Sequence, residues 1–278
     1  MTQILDFTKL SMSYNDASKR LIILDYDGTL VPFRNYPQSV YPPSEAIDTV
    51  KELCADSKNH VVIVSGRSCE DLELFWGGTS VNLAAEHGGF YQEAGKEWRR
   101  LFGPKPEWIQ RVRPSLNALA FQHEGSFVEE NVYSIAWHYR AIEARLSERD
   151  KQQVISAVMD LPEYQNFLIC DSDCVMELRS PGVNKGTFTV QWLRHDQYDF
   201  VMALGDGATD EDLFRVLPRG TYSIKIGKSL STLANYQIDN QFEVLGFLNR
   251  VLAVNREFAH SPARAYRSGA MTGSQQRY

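Results

Sequence analysis

Asp25 and Asp27 stand two residues apart in the string Asp25-Tyr26-Asp27-Gly28-Thr29-Leu30, directly after a short apolar run. Two carboxylates at this spacing on a strand-end loop can divide the work of hydrolysing a phosphate monoester. Asp25 would attack phosphorus to give an aspartyl-phosphate, while Asp27 would protonate the departing oxygen and later deprotonate the water that opens the intermediate. Gly28 lets the chain turn sharply away. The uncatalysed reaction is so slow that enzymes accelerate it by up to about 10²¹-fold, so charge neutralisation is needed as well. Ser65 can donate its hydroxyl to a phosphoryl oxygen, and the backbone N–H groups of Gly66 and Arg67 at a helix start add anion-binding dipoles. Lys185 opens a later helix with a neutralising ammonium. Asp206 and Asp210, in Gly205-Asp206-Gly207-Ala208-Thr209-Asp210-Glu211-Asp212, offer the hard oxygen ligands that suit Mg²⁺. Each has a plain alternative: Ser65 a helix cap, Lys185 a solvated cation, the acidic run a helix N-terminus favoured by its dipole. Their joint order favours one site.

That order comes from the elements around them. Residues 21–24, 60–64, 81–85, 200–204 and 222–226 are short apolar runs, the pattern of parallel strands buried on both faces. Helical spacing follows Ser44, which can cap a helix, and runs through Leu72 and Phe75, from 185 to 194 and from 211 to 216. Such βα rhythm predicts a Rossmann-like sheet, and four of its strands deliver polar clusters at their carboxyl ends, where open α/β sheets bind ligands. Between about 104 and 182 the pattern changes to helices near 108–121 and 147–159 with strands at 133–138, 167–170 and 174–178. Alternation there suits an antiparallel sheet with one covered face. The expected class is α/β, a parallel-sheet core formed by 1–103 and 183–254 with a smaller α+β cap inserted at 104–182. Residues 255–278, rich in Arg, Ser, Gln and Gly, read as a disordered tail.

Composition limits the function classes. With 29 basic and 35 acidic residues the formal net charge is -6, which argues against a general nucleic-acid binder. No stretch approaches a membrane span and no secretory leader is legible, so cytoplasmic residence is the default expectation. The four cysteines form no CxxC pair and read as reduced structural thiols.

Leu24 to Leu30, Val64-Ser65-Gly66-Arg67, Lys185, and Gly205-Asp206 through Asp212 resemble, in order, the four motifs of the haloacid dehalogenase superfamily. Further strings resemble trehalose-6-phosphate phosphatases: Ala85-Glu86-His87-Gly88, Gly125-Ser126-Phe127-Val128-Glu129-Glu130, Trp137-His138-Tyr139-Arg140, Val175-Met176-Glu177 and Gly182-Val183-Asn184-Lys185-Gly186. The resemblance spans roughly 21–252. It implies a haloacid dehalogenase core with a specificity cap, and hydrolysis of trehalose 6-phosphate. It further implies Mg²⁺ held by Asp25, Asp206 and the main-chain carbonyl of Asp27 with Asp210 in support, and sugar hydroxyls held by Glu129 and Glu177. It leaves open whether the chain acts alone, beside a trehalose-6-phosphate synthase, or fused to one.

Two positions depart from the family pattern. Asn131 stands where a cap lysine is usual, which keeps other sugar phosphates in view: sucrose 6-phosphate, glucosylglycerol phosphate or a mannosylglycerate precursor. Without that lysine, Glu129 and Glu177 are expected to repel each other. Gly207 stands where the family has a carboxylate beside the metal; because Asp206 and Asp210 remain, magnesium binding is expected to survive in weaker form. His87 reads equally as a turn histidine or a substrate contact, and Arg140 as a partner of a cap carboxylate or of substrate. Tyr133, Ile135 and Trp137 share one strand face and are expected in the cap core. A non-catalytic sugar-phosphate-binding module is the reading from another class, and the intact Asp25 and Asp27 pair argues against it.

Overall fold

The computed structural model of the chain describes residues 2–33, 40–172 and 174–259. Helix α1 (Phe7–Asp16) opens on Asp6, whose carboxylate accepts from the Lys9 N–H. Strand β1 (Arg20–Asp25) is buried along its whole length. Helix α2 (Ser44–Ala55), β2 (Asn59–Val64), α3 (Cys69–Trp76) and β3 (Asn82–Ala85) follow, and then the short β4 (Phe90–Gln92) and β5 (Arg99–Arg100). Helix α2 is capped differently from expectation. Pro43 occupies the cap position at φ -62° and ψ 153° with no side-chain cap bond, and Ser44 is the first helical residue.

The middle of the chain builds a second layer. Helix α4 (Glu107–Gln122), β6 (Phe127–Glu130), β7 (Ser134–His138), α5 (Glu148–Met159), β8 (Leu168–Ser172) and β9 (Val175–Arg179) come in that order. Helix α5 starts with a capping box in which Ser147 and Asp150 satisfy each other's backbone donors. The four strands form an antiparallel sheet of order β6-β7-β9-β8. Strand β6 was not among the expected elements. In β9, Met176 and Leu178 turn into the cap core while Val175, Glu177 and Arg179 stay half-buried, the alternation of a sheet covered on one face. Ile135 and Trp137 lie in that core as expected, but Tyr133 precedes β7 and is buried instead against Phe90 and Phe102, outside the cap cluster.

The parallel rhythm then returns with α6 (Lys185–Arg194), β10 (Phe200–Gly205), α7 (Ala208–Val216), β11 (Tyr222–Ile226), β12 (Tyr236–Ile238) and α8 (Val244–Ala259). Helix α7 begins three residues earlier than its periodicity predicts, because Asp210 caps it by accepting from the Gly207 N–H. Helix α8 continues past 254, where the tail was expected to begin; residues 260–278 of that segment lie outside the described ones.

The large sheet runs β12-β11-β10-β1-β2-β3-β4-β5, parallel except for β4 and β5. Ile22, Leu24, Ile63, Met202 and Leu204 pack on one face, and Leu21, Ile23, Val62, Val64 and Ala203 on the other. A core sandwiched on both sides explains why these strands read as unbroken apolar runs. Truncating one such Leu or Ile to Ala costs about 2–5 kcal/mol. The antiparallel cap on a mostly parallel core is the α/β architecture expected from the sequence. Strand β1 sits between β10 and β2, so the connections leave it in opposite directions and open a crevice at its carboxyl end.

Candidate active site

Asp25 is the last residue of β1, Ser65 follows β2, Glu86 follows β3 and Asp206 follows β10. Adjacent strands thus bring residues up to 181 positions apart to one sheet edge. The backbone turns at Gly28, with φ 81°, and a Cβ there would lie 2.4 Å from Asp206 Oδ2. Only glycine fits this approach.

Lys185, the first residue of α6, is buried to 2% exposure. Its ammonium donates to Asp25 Oδ1 at 2.5 Å and to Asp210 Oδ1 at 2.8 Å. Asp210 Oδ2 accepts the N–H groups of Asp206 and Gly207 at 3.0 and 2.9 Å, so both its oxygens are engaged. Burial, together with the Asp210 and Asp27 carboxylates, pushes Asp25 up to about 6 despite Lys185. Burial and the neighbouring Asp25 and Asp210 carry Asp206 well above the usual carboxylate range. Oxygens of Asp25, Asp206 and Asp210 all lie within 4.8 Å of one another. Three hard donors with one ammonium between them carry more negative charge than the protein neutralises. This donor set fits a divalent cation such as Mg²⁺.

Ser65 and Arg67 differ from expectation in how they act. Helix α3 begins at Cys69 with Ser68 as its cap, so Gly66 and Arg67 lie in the loop before it and not on its first turn. The Arg67 guanidinium turns to Asp27, with Nε donating to Oδ2 and Nη2 to Oδ1, each at 2.7 Å. The Arg67 N–H donates to Ser65 Oγ at 3.2 Å.

Strand pairing arranges the cap side. Ala136 stands opposite Glu129 on one side and Glu177 on the other, so two carboxylates flank a methyl group on the row facing the core. Each has a histidine: Glu129 Oε2 lies 3.0 Å from His138 Nε2, and Glu177 Oε1 lies 3.1 Å from His87 Nε2. Burial acts to raise both carboxyls. His138 and Asn131 nevertheless hold Glu129 below its ordinary value, and His87, Ser134 and Arg179 bring Glu177 down to about 2. Asn131 Nδ2 lies 3.4 Å from Glu129 Oε1. Arg140 lies with its guanidinium 4.9 Å from the centre of the Phe33 ring. His87 bridges core and cap.

All thirteen site residues expected from the sequence line one cavity of about 430 Å³: Asp25, Asp27, Ser65, Gly66, Arg67, His87, Glu129, Asn131, Arg140, Glu177, Lys185, Asp206 and Asp210. That volume is within the range of about 300–1,000 Å³ typical of small-molecule sites. Sequence reasoning missed Phe33, Asp71 and His138, which also line it. For His138 a signal existed, since it follows Ala136 by two on an alternating strand. For Phe33 and Asp71 there was none.

A family model described as trehalose-phosphatase matches residues 23–241. The bifunctional trehalose-6-phosphate synthase/phosphatase of Thermoproteus tenax is 35% identical over 234 residues, covering 84% of this chain and 32% of the relative. The chain spans about a third of the length of that curated relative. The C-terminal domain of the trehalose-6-phosphate phosphatase of C. albicans superposes with a TM-score of 0.83 at 27% identity, over 91% of this chain and 98% of that one. A haloacid dehalogenase-like hydrolase from Bacteroides thetaiotaomicron shares the fold at 16% identity and a TM-score of 0.58, over 84% of this chain and 99% of that one. With its family match running from β1 through the antiparallel sheet to beyond β12, the chain belongs to the trehalose-phosphatase family.

Proposed function

We propose that the protein is a Mg²⁺-dependent phosphatase that releases inorganic phosphate from trehalose 6-phosphate. The observation that carries this reading is the single cavity in which Lys185, Asp25, Asp206 and Asp210 face the cap row of Glu129, Ala136 and Glu177. A bound phosphate monoester would set its phosphoryl group against Lys185 and Ser65 and its sugar against the glutamates.

An Asp25 oxygen forms the new bond to phosphorus as the bond from phosphorus to the sugar oxygen breaks. Asp27 delivers a proton to that oxygen. Water then attacks the aspartyl-phosphate, Asp27 takes its proton, and phosphate leaves with Asp25 restored. Lys185 balances charge on the transferring group. Asp25, Asp206 and the Asp27 carbonyl would hold Mg²⁺, with Asp210 fixing Lys185 and the Asp206 amide. The metal supplies Lewis-acid stabilisation of the phosphoryl oxygens.

Residues 104–182 act in this reading as the specificity cap. Asn131 favours a second reading of the same chemistry on another sugar phosphate, since an amide beside Glu129 recognises hydroxyl groups where a lysine would add charge. No helix among the described residues is long and apolar enough to cross a membrane, and cytoplasmic residence is part of the proposal. Because the T. tenax relative joins synthase and phosphatase in one chain, a synthase is the proposed partner or fused neighbour. Phosphate release measured over trehalose 6-phosphate, sucrose 6-phosphate and glucosylglycerol phosphate, with Mg²⁺ and with chelator, tests the reading. Metal-dependent preference for trehalose 6-phosphate supports it, and release from none of them overturns it.

A further inference from the structure

Glu86 and His87 are consecutive residues with left-handed backbones, at φ 49° and 57°. Two adjacent non-glycine residues in that region persist only where their surroundings over-determine them. The bonds that hold them point two ways. Toward the core, the Glu86 N–H donates to the Arg67 carbonyl and the His87 N–H to the Ser65 carbonyl, each at 2.8 Å. Toward the cap, Glu86 Oε2 accepts the N–H groups of Val132 at 2.8 Å and Tyr133 at 3.0 Å, while His87 reaches Glu177. His87 also packs against Gly66, where a Cβ would lie 2.8 Å from the ring.

Glu86 is buried and is not among the residues lining the cavity. One oxygen of its carboxylate gathers two of the three amides of the turn that joins β6 to β7, those directly after Asn131. That turn sets where Glu129 and Ala136 stand. The main chain of Glu86 meanwhile braces the loop whose Arg67 grips Asp27. We propose that Glu86 is a positioning residue that holds the cap turn against the phosphoryl loop, coupling cap closure over the sugar to the placement of the acid. The proposal rests on the phosphatase reading above and adds to it a residue outside the cavity.

Without this carboxylate the cap spends less time closed, and the apparent affinity for a ligand that needs the closed form falls by the same fraction. A small aryl phosphate that never reaches the cap is spared. In Glu86→Ala the KM for trehalose 6-phosphate rises about tenfold with kcat within about threefold, while kcat/KM for para-nitrophenyl phosphate stays within about twofold. In the ligand-free protein, hydrogen exchange at the Val132 and Tyr133 amides speeds up by about tenfold or more. Glu86→Gln keeps a carbonyl oxygen able to accept both amides and stays within about threefold of the parent in every readout. Unchanged KM and exchange in Glu86→Ala, equal losses on both substrates, or a Gln variant as impaired as the Ala variant each overturn the proposal. Should Glu86→Ala fail to fold by circular dichroism, Glu86→Asp, one methylene too short for the amides, is measured and judged in the same way. A parent enzyme that releases no phosphate from trehalose 6-phosphate refutes the phosphatase reading instead, and the exchange rates still decide whether Glu86 holds the cap.

Discussion

Arg67 grips Asp27 from a residue 40 positions away, both guanidinium bonds measuring 2.7 Å. The guanidinium carbon lies 5.2 and 5.3 Å from the ring centres of Tyr26 and Phe75, and Asp71 stands 3.7 Å from Nη1. A planar fork buried against aromatic faces fixes the orientation of a carboxylate, which a lysine ammonium cannot do. Both oxygens of the side chain proposed as the acid are thereby held, in one orientation, as a carboxylate.

Arg67→Lys therefore lowers kcat for trehalose 6-phosphate by about ten- to a hundredfold, the equivalent of about 1.5–3 kcal/mol for a charged hydrogen bond. An activated aryl phosphate needs little protonation and loses much less. Steady-state kinetics on both substrates check this, and equal losses would remove Arg67 from any role in aiming the acid.

Asp25→Asn abolishes turnover while leaving the fold intact, because the amide is a poor nucleophile. Phosphate release and circular dichroism on the same sample decide the matter. Retention of more than a few per cent of activity is incompatible with an aspartyl-phosphate.

The Mg²⁺ site proposed at Asp25 and Asp206 predicts that the ion stabilises the protein. At a concentration of 100 times its Kd, a ligand binding only the folded state contributes about 2.7 kcal/mol, which at about 2–4 °C per kcal/mol raises Tm by roughly 5–10 °C. Asp206→Asn removes most of that increment. A thermal shift in the variant as large as the parent's would place the ion elsewhere.

Asn131→Lys restores a cation beside Glu129 and lowers the KM for trehalose 6-phosphate about tenfold, or about 1.4 kcal/mol, with little change in kcat. A higher KM in the variant would make the asparagine a specificity element for another sugar phosphate.

Acid stability reports on the tie between Glu177 and His87. The Glu177 carboxyl is depressed from its ordinary 4.5 to about 2, so its ionised form favours the folded state. That contribution is whole above about pH 4.5 and is lost as pH falls toward 2. Between those limits the parent loses Tm more steeply than Glu177→Gln, as unfolding followed by circular dichroism will show. Parallel curves would mean that the histidine and glutamate contribute nothing to holding the cap.

The chemistry-bearing clusters were legible in the sequence, and so were the elements that present Asp25, Ser65, Lys185 and Asp206, whereas β6 under Glu129 and the loop holding Gly66 and Arg67 were not. Hydrophobic period is a local property: the run at 21–24 announces a buried strand, and the string after it announces what that strand delivers. The cap was legible by the same logic, since alternation through Tyr133, Ile135 and Trp137 predicts a one-sided sheet. Only tertiary structure decided the partners. Arg67 meets Asp27, Glu86 meets Val132 and Tyr133, His87 meets Glu177 and His138 meets Glu129 because strand order and sheet register close distances that no local period encodes. The short strands β4, β5 and β12 escaped notice for a related reason: two or three residues carry no readable period, and what holds them is pairing with a neighbour. A charged side chain in the sequence shows what it can bind, whereas its partner is chosen by which opposite group the fold leaves within reach once water has been excluded from between them.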